Sequence, residues 1–524
     1  MPTIILRKLS FGYSSPPHDV FKNLDLLIDT GWRAGLVGRN GRGKTTLLRL
    51  IARELAPLGG ELTLTVAPRY FPFRPADPTV PTTEVIRNAV APFTAWERRM
   101  SALLDDGGDD ALAEYTTLVG TYEAHGGYSI DARAMRAADR LGLDARLLER
   151  SFGTLSPGEQ TRALVASLFV ADGSFALIDE PTNHLDLDGR ERLAEFLSEQ
   201  SGFLLVSHDR AFLDRCIDHV VALSADGATV VRASYSEWRE LDRQRIETEG
   251  RRNESLKREI RSLERAAHAR REGALARERD KAPHTDKGFI GRRAAKQMKR
   301  ALSIEKRVER RVAERRSLLR NADKERALKL DAASGSERLV VANNLTVIRE
   351  GRRLFEPVSF MLSRGERLAI LGRNGAGKTS LLGALSGRQL KTEGVVKLAR
   401  GLRLAIASQS PSWVSGRLDD RLRDAGLDHE RFFNVMGSLG VRGDVLDKPL
   451  DTLSAGEQKK IELARTLISP ADVLLWDEPL NAVDLESREQ LEALVRSAAP
   501  TLVFVEHDRW FIEAVATEIV VLER

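Results

Sequence analysis

Four short motifs occur in the same order in each half of this 524-residue chain, and that repeat restricts its fold more than any other feature. GRNGRGKTT, Gly38 to Thr46, follows the apolar run AGLV; then come LSPGEQ (Leu155 to Gln160), FALIDEP (Phe175 to Pro181) and LLVSHD (Leu204 to Asp209). The second series is GRNGAGKTS (Gly372 to Ser380) after RLAIL, then LSAGEQ (Leu453 to Gln458), VLLWDEP (Val473 to Pro479) and VFVEHD (Val503 to Asp508). Ser156 and Asp179 are 23 positions apart, as are Ser454 and Asp477; Asp179 to His208 is 29 and Asp477 to His507 is 30. Two homologous α/β domains follow, each with buried strands that end in polar loops.

The intervals between motifs fix the rest of the organisation. Phe73 to Ser156 is 83 positions, whereas the matching Gln409 to Ser454 is 45, so the first half carries an insertion of about 38 residues, helical and polar in pattern. Between the halves, Leu256, Ile260 and Leu263, and later Ile304, Val308, Val312 and Leu319, recur at helical steps among charges, interrupted around Gly273, Pro283, Gly288 and Gly291. The expected layout is a first domain over 1–238 with a helical arm at about 80–135, a helical-hairpin linker over 239–332 with its tip at about 273–291, and a second domain over 333–524. Charge marks the linker too. The chain's net charge is +5, yet residues 251–300 hold 17 Lys and Arg against 7 Asp and Glu, which leaves the remainder at −5. Such local basicity predicts contact with a polyanion such as RNA, through Arg292, Arg293, Lys296, Lys299 and Arg300, rather than a solvated spacer.

Each motif has a chemistry. GRNGRGKT fits the phosphate-cradling pattern G-x-x-x-x-G-K-[ST]: Gly38, Gly41 and Gly43 let amides wrap phosphates, Lys44 reaches the β- and γ-phosphates and Thr45 meets Mg²⁺, with Asn40 and Thr46 in the same loop. Gly372, Asn374, Gly375, Gly377, Lys378, Thr379 and Ser380 repeat the set. FALIDE and VLLWDE are buried strands ending in two carboxylates, of which Asp179 and Asp477 suit the metal shell, while Glu180 and Glu478 can take a proton from an attacking water or orient it. His208 and His507, after a second apolar strand, can hydrogen-bond a γ-phosphate. Ser156, Gly158, Glu159 and Gln160, with Ser454, Gly456, Glu457 and Gln458, read at once as capping boxes and as helix N-termini able to meet an anion held by the other domain.

Together these motifs resemble the ATP-binding cassette ATPases over both halves of the chain. That resemblance implies two P-loop cassettes in a head-to-tail dimer within one monomer, with ATP and Mg²⁺ as cofactors. Lys44, Asp179, Glu180 and His208 then share a site with Ser454 and Gly456; Lys378, Asp477, Glu478 and His507 share the other with Ser156 and Gly158. Asp186 and Asp484 would make contact across the dimer, and Gln409 would join the metal shell. Two cassettes joined by a basic linker are similar to the ABC-F translation factors. DEPLN, VEHD and GFIGRRAAKQMKR are similar to their antibiotic-resistance group, the Lsa- and Sal-like ribosome-protection proteins. This implies a cytoplasmic protein that binds the bacterial 70S ribosome at the E site, its linker meeting 23S rRNA and P-site tRNA. Two departures stand out: Phe73 falls where the first cassette should have the counterpart of Gln409, and the adenine-stacking position is Tyr13 in the first half but Arg349 in the second.

Other uses of twin cassettes fit less well. A transporter pair needs membrane-domain partners, and no run of 18 apolar residues occurs here. Recycling factors with iron–sulfur clusters and repair proteins with zinc modules need more cysteines than Cys216, so no metal cluster is expected. A housekeeping translation factor is the nearest alternative.

Overall fold

Runs of four or five apolar residues become central strands because a strand covered on both faces has no polar side to show. The computed structural model describes residues 2–14, 17–171, 173–183, 185–224, 227–279, 338–441 and 443–523. In it Ser174–Asp179, Phe203–Val206 and Arg33–Val37 lie side by side and parallel, buried along nearly their whole length. They centre a six-stranded sheet in the order Ala67–Phe71, Ser174–Asp179, Phe203–Val206, Arg33–Val37, His219–Ser224, Gly227–Val231, in which only the last strand is antiparallel. The second cassette repeats it with five parallel strands, Leu404–Ala407, Val473–Asp477, Leu502–Val505, Arg367–Gly372 and Glu518–Leu522. A smaller antiparallel sheet accompanies each: Pro17–Asp29, Thr3–Ser14 and Gly59–Leu64 in the first, and Arg338–Arg349 with its partners in the second.

Parallel strands bring their carboxyl ends to one edge of the sheet, and that edge gathers the motifs. Asp179 is in register with Val206, and Asp477 with Val505, so each carboxylate pair stands beside the histidine loop that follows the next strand. Trp476 takes the place of Ile178 in the second core. Its ring is fully buried, and its indole Nε1 donates to Thr466 Oγ1 at 3.0 Å, which satisfies the one polar atom the larger side chain brings inside.

The stretch expected to be the first cassette's helical arm holds Thr82–Asn88, Phe93–Asp106, Asp109–Ala124 and the start of Gly127–Arg140; the middle two are separated by Gly107 at φ 64°. That middle pair is held by the edge-to-face contact Phe93–Tyr122, 5.6 Å between ring centres, and by Arg99, which donates twice to Glu114 at 2.7 Å. Met1–Ser236 and Arg326–Arg524 form one compact unit, so both cassettes belong to a single body; Glu237–Glu325 form another. In the latter, the helix Tyr235–Arg279 buries Leu256 and Ile260, one turn apart, as their spacing predicts. It also runs through Gly273, where the run of helix breakers places the start of the tip. One glycine costs a helix only about 1 kcal/mol, and the flanking Arg, Glu, Ala and Leu favour continuation. The second linker helix, the rest of the tip with Phe289 and Ile290, and Arg292, Arg293, Lys296, Lys299 and Arg300 lie outside the described residues.

Candidate active sites

Both phosphate loops fold on a glycine that no other residue could replace cheaply. Gly43 and Gly377 start their helices at φ 86° and 91°, and a Cβ on Gly43 would fall 2.4 Å from Val20 Cγ1. The helices Lys44–Ile51 and Lys378–Leu385 therefore begin with exposed amides and a lysine folded back over the loop. Lys44 Nζ donates to Gly38 O at 2.7 Å, and Lys378 Nζ to Gly372 O at 2.8 Å and Arg373 O at 3.0 Å. Burial lowers the pKa of both ammonium groups, against the pull of nearby carboxylates. A charge held in a dry loop is strongly attracted to anything anionic that enters. In the first cassette that loop lines a cleft of about 360 Å³ with Tyr13, Asn40, Thr45, Thr46, Asp179, Glu180 and His208.

Glu180 and Glu478 both adopt left-handed backbone conformations, φ 52° and 48°, which ordinary residues avoid and which recur where geometry serves chemistry. At the first site, burial and the adjacent Asp179 push the Glu180 carboxyl up to about 7. Its Oε1 lies 3.2 Å from His208 Nε2, and the His208 amide donates to its Oε2 at 3.3 Å. Burial, then Lys44, holds the His208 imidazole well below its ordinary range, so the ring is neutral. Asp179 is raised by burial and held back by hydrogen bonds from Thr45 and from Tyr70, whose hydroxyl donates to Oδ2 at 3.2 Å. No motif in the sequence marks Tyr70. Its significance rests on register: Phe71 pairs with Ile178 and Ala407 with Trp476, so Phe73 and Gln409 occupy matching positions, and Tyr70 stands where the second cassette has Ile406.

The second site is wired differently. Glu478 Oε2 accepts from Gln409 Nε2 at 3.1 Å and from Asn481 Nδ2, while both ring nitrogens of the buried His507 are unbonded. Burial and Lys378 hold that imidazole down at about 3. Lys459, nearly fully buried, donates to Ser408 O at 2.8 Å, Gln409 O at 3.4 Å and Asp477 O at 3.2 Å, so it laces the glutamine loop to the carboxylate strand. Asp477 Oδ1 is buried without a hydrogen-bond partner, a carboxylate oxygen oriented for something not of the protein.

Two departures in the second copy form one unit. In the first cassette Thr182 and Ser207 pair their hydroxyls at 3.1 Å, and Ser207 Oγ accepts from the Asp209 amide at 3.1 Å. In the second, Leu480 removes one hydroxyl and Glu506 replaces the other. Glu506 then accepts from the amides of Leu480 at 2.8 Å, His507 at 2.6 Å and Asp508 at 3.3 Å. DEPLN and VEHD are thus a compensated exchange of a hydroxyl pair for a buried carboxylate.

The cassettes meet head to tail. Gly456 faces the opposite phosphate loop, where a Cβ would sit 3.2 Å from Asn40 Nδ2 and 2.4 Å from Ala482 O, a backbone atom that cannot yield. Asn40 Nδ2 also reaches Ala482 O at 3.4 Å, and Arg39 donates twice to Glu486. At the other site the Asn374 amide donates to Asp186 Oδ2 at 3.2 Å. Ser156 and Ser454 are capping residues: each hydroxyl accepts at 3.3 Å from the amide of Glu159 or Glu457, whose carboxylates reach back. Gln160 and Gln458 turn their amides to their own backbones, Leu155 O at 3.1 Å and Leu450 O at 2.8 Å. Tyr13 stands at the mouth of the first cleft, its hydroxyl 3.1 Å from Thr46 Oγ1; Arg349 is exposed at a strand end, paired with Arg352.

Asp484, expected to make contact across the dimer, takes its hydrogen bonds within its own cassette and reaches Lys44 and His208 of the other through its charge. Burial would raise its pKa, but Lys460 Nζ at 2.9 Å and the Ser487 amide at 2.8 Å hold it far below the usual carboxylate range. A depressed folded pKa stabilises the fold above the unfolded value of about 3.9, and that contribution is lost progressively as the pH falls from there through the folded value. Lys460→Met leaves a buried, unpaired carboxylate and is expected to cost about 3–5 kcal/mol at pH 7 in urea unfolding. The gap between parent and variant should narrow progressively as the pH falls below about 4; a gap constant with pH would reject the pairing.

The ABC transporter family model matches residues 21–183 and 355–481. The chain is 32% identical over 528 residues to the tylosin resistance ATP-binding protein TlrC of Streptomyces fradiae, covering 94% of this chain and 92% of the relative. It is 29% identical to the energy-dependent translational throttle protein EttA of Escherichia coli K12, covering 96% and 89%. The crystal structure of an archaeal ribosome recycling factor complexed with a ribosomal stalk protein shares the fold, with a TM-score of 0.58 at 19% identity over 98% of this chain and 87% of that one. No described helix is long and apolar enough to cross a membrane.

Proposed function

This chain belongs to the ABC transporter family as a twin-cassette ATPase of the ABC-F type, and from that premise we propose that it acts in the cytoplasm on the bacterial ribosome and protects it from antibiotics. The observation that carries this reading is the near full-length likeness to a tylosin resistance protein, joined to a linker whose residues 251–300 carry an excess of ten positive charges. Cassettes over 1–238 and 333–524 flank that linker at 239–332, which would enter the E site and meet 23S rRNA and P-site tRNA.

Two ATP molecules would lie in the head-to-tail interface. Lys44 and Lys378 bind β- and γ-phosphates, the capped helix starts at Ser454–Gly456 and Ser156–Gly158 close over them from the opposite cassette, and Tyr13 or Arg349 stacks the adenine. Mg²⁺, when bound, would neutralise charge on the transferred phosphoryl group. The donor set fits it: Asp179 with Thr45, and Asp477 with Thr379 and the carbonyl end of Gln409, are the hard oxygen donors that would hold such an ion. Glu180 and Glu478 take the proton of the attacking water, and His208 and His507 hold the γ-phosphate. Asp186 and Asp484 tie each site to the other cassette. ATP closes the cassettes, the closed form sits on the ribosome, and hydrolysis releases it.

Expression in a drug-sensitive bacterium tests the reading: inhibitory concentrations should rise for at least one of the macrolides, lincosamides, streptogramins and pleuromutilins. No shift for any class would favour the housekeeping translation factor, which the likeness to the translational throttle protein supports.

A further inference from the structure

Arg190, on the helix Leu187–Ser198, is bonded to three functional segments at once. Its Nε donates to Leu185 O at 3.2 Å, in the turn whose Asp186 takes the Asn374 amide. Its Nη1 donates to Asp209 Oδ2 at 2.8 Å, next to His208, and to His507 O at 3.0 Å, in the other cassette. The side chain is mostly buried, 13% exposed, so these bonds are sheltered from water. Around it the two histidine loops face each other. Arg210, after Asp209, donates to Glu492 Oε2 at 2.9 Å and lies 4.9 Å over the Trp510 ring, and Arg509 pairs with Glu191 at 2.5 Å.

The repeat supplies its own control. Arg488 follows Asp484 by four positions, as Arg190 follows Asp186. It keeps the two local bonds, Nε to Val483 O at 2.9 Å and Nη1 to Asp508 Oδ2 at 3.1 Å. Its remaining donor turns back to Leu480 O at 2.8 Å, within its own cassette. The crossing hydrogen bond is therefore one-sided, although the Arg488 charge is felt by Glu180 and His208 across the interface.

His507 makes that contact consequential. With both ring nitrogens unbonded, the direction of its imidazole is set by its peptide, anchored by the bond of its amide to Glu506 in its own cassette and by the bond from Arg190 to its carbonyl. The second anchor exists only when the cassettes are together and Asp209 holds Arg190 in place. Asp209 is itself fixed, since its other oxygen caps the helix Arg210–Cys216 at 3.0 Å through the Phe212 amide.

We propose that Arg190 is a positioning residue that couples hydrolysis at the two ATP sites, passing the state of the first histidine loop to His507. This rests on the reading of His208 and His507 as γ-phosphate contacts and of Glu180 and Glu478 as the water-activating carboxylates. Steady-state ATP turnover of the full chain at saturating ATP tests it in two trios: parent, Glu180→Gln and Glu478→Gln, and the same three carrying Arg190→Met. With Arg190 present, the two single-site rates should sum to about one fifth of the parental rate or less. With Arg190→Met, they should sum to the rate of the Arg190→Met chain itself. Arg190→Lys should restore the shortfall, and Arg488→Met should retain it. A general loss of stability would lower all rates in a trio together and leave these ratios alone. The coupling is overturned if the Arg190→Met trio keeps the parental shortfall, or if the parental trio shows none. A Glu180→Gln, Glu478→Gln chain that turns over at the parental rate would instead overturn the underlying reading, and the coupling with it.

Discussion

A chain carrying both Glu180→Gln and Glu478→Gln is expected to lose about a hundredfold or more of its ATP turnover, the scale of a positioned general base, while still binding ATP. Each glutamate follows a buried strand at positive φ, directly after the aspartate assigned to the metal, and neither glutamine would disturb that backbone. Glu180 suits proton transfer because burial and Asp179 bring its carboxyl up to about 7, near the working pH. With hydrolysis stopped and the cassettes closed, the double variant should co-sediment with ribosomes in ATP and not in ADP. Turnover at the parental rate would remove both carboxylates from the chemistry. Turnover lost without ribosome trapping would keep the ATPase assignment and sever its link to release.

The motifs that name the fold were legible because their chemistry is local: a glycine-rich loop, two carboxylates and a histidine each follow an apolar run, and parallel pairing brings those ends together. What stayed illegible depends on partners remote in sequence or on backbone atoms. Tyr70 lies on a strand that reads only as apolar and basic, and its hydroxyl matters because that strand neighbours Ser174–Asp179. Lys459 could pass for a surface residue of an amphipathic helix, yet it is 2% exposed and bonded to three carbonyls, which leave no trace in sequence. Arg190 has a counterpart at the same spacing, and only geometry separates the arginine that crosses the interface from the one that turns inward. The departures of DEPLN and the residues after it from the first cassette's DEPTN are plain in the sequence, but their meaning lies in the fold. Leu480 makes sense beside Glu506, and Ala482, at φ 61°, presents the carbonyl that meets Asn40 and fixes Gly456 as glycine.

Neutralising Arg292, Arg293, Lys296, Lys299 and Arg300 together is expected to weaken ribosome association by about tenfold or more and to flatten its dependence on salt. A cation that meets a phosphate releases counterions, so on single-stranded nucleic acid the logarithmic slope of affinity against salt falls by roughly 0.7 for each such cation removed, or about 3.5 if all five meet phosphate. ATP turnover without ribosomes should be unchanged, because these residues lie in the linker, outside every ATP motif. That separation distinguishes RNA binding from damage to the cassettes: the first changes affinity and its slope alone, the second changes turnover as well. Five Glu substitutions should weaken binding further than five Gln, since repulsion then replaces attraction. Equal binding across parent, Gln and Glu chains, with an unchanged slope, would make the segment a solvated spacer and leave recognition of the ribosome to the cassettes.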